Sequence, residues 1–187
     1  MNKAVFLDRD GTLNVDRQYL YRKEDFVFLP GVLDGLRMLQ AAGFQLIIIT
    51  NQSGIARGYY KLKDFQTLNK WMLQELENEG ITITDTYFCP HHPEAAVRKY
   101  RKDCNCRKPK TGLFEKAAVE HQIDWAMSYS IGDKLRDCAI CCSTDCKGFL
   151  LGHNEDEETI KQVQSGHFPH ISYCETFMDC VSQILHR

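Results

Sequence analysis

Several features are missing from this chain, and each absence excludes a class of protein. No apolar run approaches the about 18 residues of a membrane span, and the first residues show no signal-peptide pattern. There is no excess charge of one sign, because 23 Lys and Arg stand against 25 Asp and Glu, so no overall field favours nucleic acid or an anionic membrane. Internal repeats and low-complexity tracts are also absent. We therefore expect a soluble, cytosolic globular protein with one domain over residues 1–187.

Cysteine, in contrast, is abundant. Nine cysteines in a secreted protein would suggest a disulfide framework with one thiol left over. Without a signal peptide, a metal site together with free buried thiols is the better interpretation.

Apolar runs alternate with helical patterns along the chain. The runs resemble buried strands of a parallel sheet and lie at 4–7, 45–49, 84–88, 128–131 and 148–151. Helical spacing of apolar residues predicts helices that stop at Gly43 and Gly80, and a third helix from Gly112 to about Gln122. The alternation predicts a doubly wound, Rossmann-like α/β fold, in which ligands bind beyond the carboxyl ends of the strands. The segment from Asn14 to Pro30 has no clear period and is expected to form a flap beside the site.

Asp8 and Asp10 follow the first apolar run directly. Side chains two apart in an extended segment project to the same side, so both carboxylates can face one crevice. One can attack a phosphate while the other transfers protons, and Mg²⁺ relieves the repulsion between them. A turn or a calcium loop is the alternative for this segment, but the further acidic ligands and the closing Glu of an EF-hand are missing.

Three more polar clusters fall after predicted strands or before a predicted helix. Their hydroxyl, amide, basic and acidic groups suit a phosphate substrate and its cation. The structural alternatives are helix capping by the Thr, Asn, Ser and Asp residues and a solvent-exposed loop for the basic residues. The clusters are Thr50-Asn51-Gln52-Ser53, Arg107-Lys108-Pro109, and Gly132-Asp133-Lys134 with Asp137, which could orient Lys108 or Lys134.

These four clusters, in this order, resemble the haloacid-dehalogenase-like (HAD) superfamily over nearly the full chain. The resemblance implies that Asp8 is the nucleophile and that Asp10, which would need a raised pKa, is first the acid and then the base. Further implied roles are phosphoryl binding by Thr50, Asn51 and Lys108, and Mg²⁺ binding by Asp8, the main-chain carbonyl of Asp10, and Asp133. Asn51, Gln52, Ser53, Arg107 and Lys134 are expected to bind the substrate.

Two close pairs of soft ligands lie in a polar loop at about 89–106. Cys89 and His91 form one pair and Cys104 and Cys106 the other, which suits a structural Zn²⁺ ion. His92 competes with His91 for the fourth position, and the symmetry of the spacing favours His91. A disulfide among these cysteines is the alternative.

The same loop narrows the resemblance within the superfamily. Cys-Pro-His-His-Pro, Cys-x-Cys-Arg-Lys-Pro and the segment from Asn51 to Gly58 are similar to the D-glycero-D-manno-heptose-1,7-bisphosphate 7-phosphatases of lipopolysaccharide-precursor synthesis. Histidinol-phosphate phosphatases are also similar. The resemblance implies that the zinc loop stands in for a large cap domain, and that Arg107 contacts the substrate beyond the reacting phosphate, with Arg57 as another candidate.

Several expectations remain beside this one. A zinc-dependent nucleic-acid-binding module is the non-enzyme alternative, but the near-neutral charge argues against it. We expect a monomer, and we expect the acidic run Glu155–Glu158 to be the solvated first turn of a helix. Four cysteines at helical spacing are expected to be buried free thiols on one side of a helix: Cys138, Cys141, Cys142 and Cys146. Cys174 and Cys180 are given no role.

Overall fold

A six-stranded parallel sheet forms the centre of the protein. The computed structural model describes residues 1–186. Its strands are β1 (Ala4–Leu7), β2 (Gln45–Asn51), β3 (Asp85–Cys89), β4 (Tyr129–Gly132), β5 (Lys147–Leu151) and β6 (Ile171–Cys174). They lie in the order β3-β2-β1-β4-β5-β6, and every neighbouring pair is parallel. This is the doubly wound order, with its topological switch point between β1 and β4.

Both faces of the sheet are covered by helices. The helices are α1 (Val32–Ala41), α2 (Ser53–Arg57), α3 (Leu62–Asn78), α4 (Gly112–His121), α5 (Glu157–Gln164) and α6 (Phe177–Leu185). Apolar residues of α1, α3 and α6 share one core with Val5 and Leu7 of β1, whereas those of α4 and α5 share the other core with Ala4 and Phe6. Because successive side chains of a strand point to opposite faces, a strand buried on both sides must be apolar throughout, as β1 is.

The predicted fold class is confirmed. Five of the six strands lie within two residues of their predicted bounds, and α1, α3 and α4 occupy the predicted helical segments. The sixth strand, β6, and the helix α6 behind it were not predicted. The cysteine-rich segment is a 3₁₀-helix (Leu135–Cys142) rather than an α-helix. Among residues 1–186, no helix is long and apolar enough to cross a membrane.

The segment from Asn14 to Pro30 contains only one 3₁₀ turn, Lys23–Asp25, within otherwise irregular chain. Gln18 and Tyr19 both have positive φ angles, 54° and 68°, which are uncommon for residues other than glycine. The Tyr19 ring contacts the ring of Tyr59 at a centroid separation of 4.5 Å. Gln18 and Tyr19 also line a cavity at the carboxyl edge of the sheet, so this segment lies beside that cavity.

Candidate active site

A cavity of about 500 Å³ opens at the carboxyl edge of the sheet. Loops after β1, β2 and β4 and the segment before α4 form its walls, as expected at the switch point of a doubly wound sheet. The cavity is lined by Asp8, Asp10, Asp16, Gln18, Tyr19, Thr50, Asn51, Gln52, Ser53, Gly54, Arg57, Tyr60, Arg107, Asp133, Lys134, Arg136 and Asp137.

At the base of the cavity, Lys108 lies between two carboxylates. Its Nζ atom is 2.7 Å from Asp8 Oδ1 and 2.7 Å from Asp137 Oδ1, and it donates to the Ile49 carbonyl at 2.6 Å. An ammonium group has three donors, so these three acceptors use them all. Burial opposes the charged form of Lys108, yet the charges of Asp137 and Asp8 outweigh it and raise the pKa of Lys108. The lysine therefore remains charged and fixes the nucleophile candidate in place.

Asp137 can reach Lys108 because Gly132, which lies against it, has no side chain. A Cβ atom on Gly132 would lie only 2.1 Å from Asp137 Cβ, so the Gly132-Asp133-Lys134 turn requires glycine at its first position. Asp137 Oδ2 also accepts a hydrogen bond from the Lys134 main-chain N–H at 2.9 Å. Asp137 thus contacts both Lys108 and Lys134, the two residues that the sequence suggested it could orient.

Asp10 is held by a separate set of donors. Arg9, which is fully buried, donates from Nη2 to Asp10 Oδ2 at 2.7 Å and from Nε to Oδ1 at 3.2 Å. Asn14 Nδ2 and Gln52 Nε2 donate to the same carboxylate at 3.1 and 2.9 Å. Tyr60 donates in turn to Gln52 Oε1 at 2.6 Å and fixes the direction of that amide.

The raised pKa that Asp10 would need in order to act first as an acid is not found in this structure. Burial alone would raise the pKa of Asp10, but the charge of Arg9 and the hydrogen bonds from Arg9, Asn14 and Gln52 lower it below its ordinary value. The ionised form suits a base that takes a proton from water. The acid step needs a proton that the resting carboxylate does not hold.

Asp133 completes a group of three carboxylates that could hold a cation. Oxygen atoms of Asp8, Asp133 and Asp137 lie within 4.8 Å of one another. Burial, and then the charge of Asp8, raise the pKa of Asp133 to about 8, and burial raises that of Asp8 to about 6. Lys108 pairs with Asp8 and Asp137, which leaves Asp133 without an ion-pair partner among residues 1–186. A buried set of oxygen ligands with excess negative charge suits a hard divalent cation.

The Thr50–Ser53 cluster lies where the sequence predicted, but two of its side chains are occupied. Asn51 donates to the Lys108 carbonyl and accepts from the Lys108 N–H, both at 3.1 Å. Gln52 is buried against Asp10 and Thr50. These two amides therefore position Lys108 and Asp10, while Thr50 and Ser53 line the cavity as further hydroxyl groups.

The mouth of the cavity is basic. Three arginines, Arg57, Arg107 and Arg136, line it and form what we call the arginine rim. None of the three forms an ion pair with a described residue; Arg107 reaches only the His91 carbonyl at 3.4 Å. Burial, and the like charges of Arg136 and Arg57, lower the pKa of Arg107. Unpaired like charges gathered at one opening indicate an anionic ligand.

The Cys/His cluster stands beside this rim, in the loop between β3 and α4. The thiols of Cys89, Cys104 and Cys106 lie 3.1–3.5 Å from one another, and His91 Nδ1 is 3.3 Å from Cys106 Sγ. No disulfide joins any of the cysteines, so the structure does not support the disulfide alternative. His92 is outside the group, with its Nε2 atom 3.1 Å from Arg57 Nη2. Three thiols and one imidazole that converge in this way fit a tetrahedral Zn²⁺ site.

The remaining cysteines depart in part from expectation. Cys138, Cys141 and Cys146 are buried, but Cys142 is exposed, so the four do not share one buried side. A 3₁₀-helix has three residues per turn, which breaks the α-helical spacing assumed for them. Cys174, at the end of β6, and Cys180, on α6, are buried in the core on that side of the sheet.

The fold and the site together define the class of protein. HAD phosphatases have a parallel sheet in this strand order, with aspartates after β1 and β4 and a lysine between them. A family model described as "Polynucleotide kinase 3 phosphatase" matches residues 3–138, which include Asp8, Lys108 and Asp133. The D-glycero-beta-D-manno-heptose-1,7-bisphosphate 7-phosphatase of Haemophilus ducreyi is 49% identical over 136 residues, 72% of this chain and 74% of the relative. The enzyme of that name from Escherichia coli K12 is 46% identical over 134 residues, covering 72% and 70% of the two chains.

Solved structures agree with the sequences. The D,D-heptose 1,7-bisphosphate phosphatase from B. bronchiseptica, crystallised with magnesium and phosphate, superposes with a TM-score of 0.83 at 28% identity and 98% coverage of both chains. The chain belongs to the family of heptose-1,7-bisphosphate 7-phosphatases within the HAD superfamily. It is therefore a phosphoric monoester hydrolase.

Proposed function

We propose that this enzyme hydrolyses the 7-phosphate of D-glycero-D-manno-heptose 1,7-bisphosphate, with Asp8 as nucleophile, in the supply of lipopolysaccharide-core precursors. The names of the relatives support the substrate. One observation carries the chemistry: Asp8 is fixed by Lys108 at the base of a cavity that Asp10 also lines and that arginines surround at its mouth. A sugar with a phosphate at each end matches this polarity.

In the first step, a carboxylate oxygen of Asp8 attacks phosphorus and the bond between phosphorus and the sugar oxygen breaks. Asp10, once it has taken up a proton from solvent, gives that proton to the sugar oxygen, which leaves as the C7 hydroxyl. In the second step, Asp10 takes a proton from water, the water oxygen attacks the phosphorus of the phosphoaspartate, and inorganic phosphate leaves with Asp8 restored. Thr50, Ser53 and the charge of Lys108 stabilise the phosphoryl oxygens during both steps.

We assign Mg²⁺ to the carboxylate group at the base. Asp8, Asp133 and the main-chain carbonyl of Asp10 would hold it, and Asp137 stays with Lys108. When bound, the cation offsets the negative charge of the phosphoryl group and of the carboxylates around it. The magnesium and phosphate in the B. bronchiseptica enzyme support this assignment.

The arginine rim is assigned to the second phosphate. Guanidinium groups bind phosphate through paired donors, and an anion there would relieve the repulsion among Arg57, Arg107 and Arg136. Lys134 also lines the cavity and is 3.7 Å from Glu155, so its charge is partly compensated.

For the Cys/His cluster we propose a structural Zn²⁺ ion held by Cys89, His91, Cys104 and Cys106. The loop is long and polar, and Arg107 directly follows its last ligand, so the ion would fix the rim as well as the loop. Removing the metal with a chelator should release about one Zn²⁺ per chain and expose the loop at about 89–106 to protease. Unchanged protease resistance and full activity in metal-free protein would exclude the structural role.

The substrate assignment is tested by comparing phosphate release from both anomers of the heptose bisphosphate, fructose 1,6-bisphosphate and histidinol phosphate. We expect the highest kcat/KM for a heptose bisphosphate, and Asp10→Asn serves as the inactive control. A wide preference for histidinol phosphate would replace the proposed substrate. Three expectations from the sequence stay predictions: a single domain with its zinc loop, a monomeric state and a cytoplasmic location.

A further inference from the structure

The turn after β5 contacts the active site at three points. We call residues 152–155 the β5 turn. His153 Nε2 is 2.8 Å from the Gly11 carbonyl and donates to it, and Asn154 Nδ2 donates to Asp133 Oδ2 at 2.8 Å. Glu155 Oε2 accepts from the Leu135 main-chain N–H at 2.7 Å. None of these side chains belongs to the motifs that identify the family.

These contacts connect two loops that leave different strands. Gly11 belongs to the loop after β1, which carries Asp8 and Asp10, and Asp133 directly follows β4. β5 pairs with β4 and not with β1, so the β5 turn crosses the end of β4 to reach Gly11. It therefore holds together the loops that provide the proposed cation ligands.

The fit at this point is close. A Cβ atom on Gly11 would lie 2.3 Å from Asp133 Oδ2 and 2.8 Å from Asn154 Nδ2, and Gly11 has a φ of +85°. The Asp133 carboxylate is thus enclosed between the Gly11 backbone and the Asn154 amide. Asn154 holds the Oδ2 atom of this carboxylate, and no described residue donates a hydrogen bond to its Oδ1 atom.

The chemistry of the donor also matters. An amide orients a carboxylate without neutralising it, whereas a Lys or Arg would form an ion pair and compete with a cation. Asp133 is the one carboxylate of the three that forms no ion pair with Lys108, so no cationic side chain competes with a metal ion for it. A neutral donor behind a charged ligand is the arrangement that fixes ligand orientation at metal sites.

We propose that Asn154 is a positioning residue that fixes the Asp133 carboxylate for the divalent cation. This inference rests on the cation site of the proposed function. Asn154 contacts neither substrate nor the reacting atoms, and acts through Asp133 alone.

The test is direct Mg²⁺ binding to the full chain by titration calorimetry, without substrate. Asn154→Leu keeps the approximate size and removes the donor, and Asn78→Leu, at the exposed end of α3, is the matched control. We expect Asn154→Leu to weaken Mg²⁺ binding about 10- to 100-fold. The Mg²⁺ concentration for half-maximal activity should rise by a similar factor, while kcat at saturating Mg²⁺ stays within about threefold of the wild-type value. Asn78→Leu should change neither quantity.

Three outcomes would overturn the inference. If Asn154→Leu binds Mg²⁺ as tightly as the wild type, Asn154 does not position Asp133, and the proposed function is unaffected. If Asn154→Leu lowers Tm without Mg²⁺ but Asn154→Ala folds normally and binds Mg²⁺ with wild-type affinity, the contact is only structural. If the wild type itself binds no Mg²⁺, the cation site fails and the inference fails with it.

Discussion

The base and the mouth of the cavity differ in how their charges are compensated before any ligand arrives. At the base, Lys108 contacts two carboxylates and Arg9 is paired with Asp10. At the mouth, the three guanidinium groups of the arginine rim have no carboxylate partner among residues 1–186. Apart from Asp133, the charged groups of the base are paired with one another, whereas the mouth is left with unpaired positive charge.

This difference separates two tasks. Catalytic groups must be held in one geometry, because a small misplacement of a reacting atom costs much of the rate. The rim needs only to attract and retain a charged group, and its mutual repulsion is relieved when an anion binds. Substitutions at the base should therefore lower kcat, and substitutions at the rim should raise KM.

The strongest challenge to this division is Asp8→Asn, which removes the nucleophile and retains its size. We expect turnover to fall by at least about 10⁴-fold, because the acyl phosphate cannot form. Rapid-quench measurement of a phosphoenzyme should find none in the variant. A variant with more than a hundredth of wild-type kcat would show that Asp8 does not attack phosphorus.

Asp137→Asn addresses the pairing of the base without touching the nucleophile. Lys108 then loses one of its two anionic partners while buried, which costs about 3–5 kcal/mol when such a pair is broken. We expect a lower Tm and a kcat reduced about 100-fold with KM little changed. The matched control is Asp34→Asn, whose exposed pair with Arg37 should be worth less than about 1 kcal/mol. Equal losses of stability in the two variants would contradict the paired base.

The same division explains what the sequence alone could predict. Asp8, Asp10, Lys108 and Asp133 follow strands or precede a helix, so a correct order of elements brings them to one edge. Asn154 could not be found in this way, because its partner follows β4 and the sequence does not state that β5 lies beside β4. Glu155 was expected in a solvated helix turn, but its side chain is only 14% exposed and accepts from the Leu135 N–H.

The directions of the Asn51 and Gln52 side chains could not be predicted from the sequence either. Asn51 and Gln52 are chemically suited to bind phosphate, and only the structure shows that their amides are used by Lys108 and Asp10. β6 was missed because its four residues, Ile-Ser-Tyr-Cys, are too few to show a period, and two of them are only partly buried.

Arg107→Ala is the main test of the rim. Losing a charged donor to the second phosphate should cost about 1.5–3 kcal/mol of binding, or roughly a 10- to 100-fold rise in KM for the heptose bisphosphate. KM for a sugar monophosphate should rise much less, because it has no second phosphate to lose. A large fall in kcat with both substrates would place Arg107 at the base rather than at the mouth.

Arg136→Ala should give the smallest effect, and it is the sharpest test of shared charge at the rim. Arg136 is exposed and has no hydrogen-bond partner among the described residues, so it acts through its charge more than through fixed geometry. We expect KM for the bisphosphate to rise about two- to fivefold with kcat unchanged. Because the Debye length falls to about 3 Å at 1 M salt, the difference from wild type should shrink as salt is added. Arg98→Ala, at an exposed position that does not line the cavity, is the control and should leave KM unchanged. If Arg136→Ala and Arg98→Ala raised KM equally, the substrate would be attracted by the positive charge of the whole surface and not by the arginine rim.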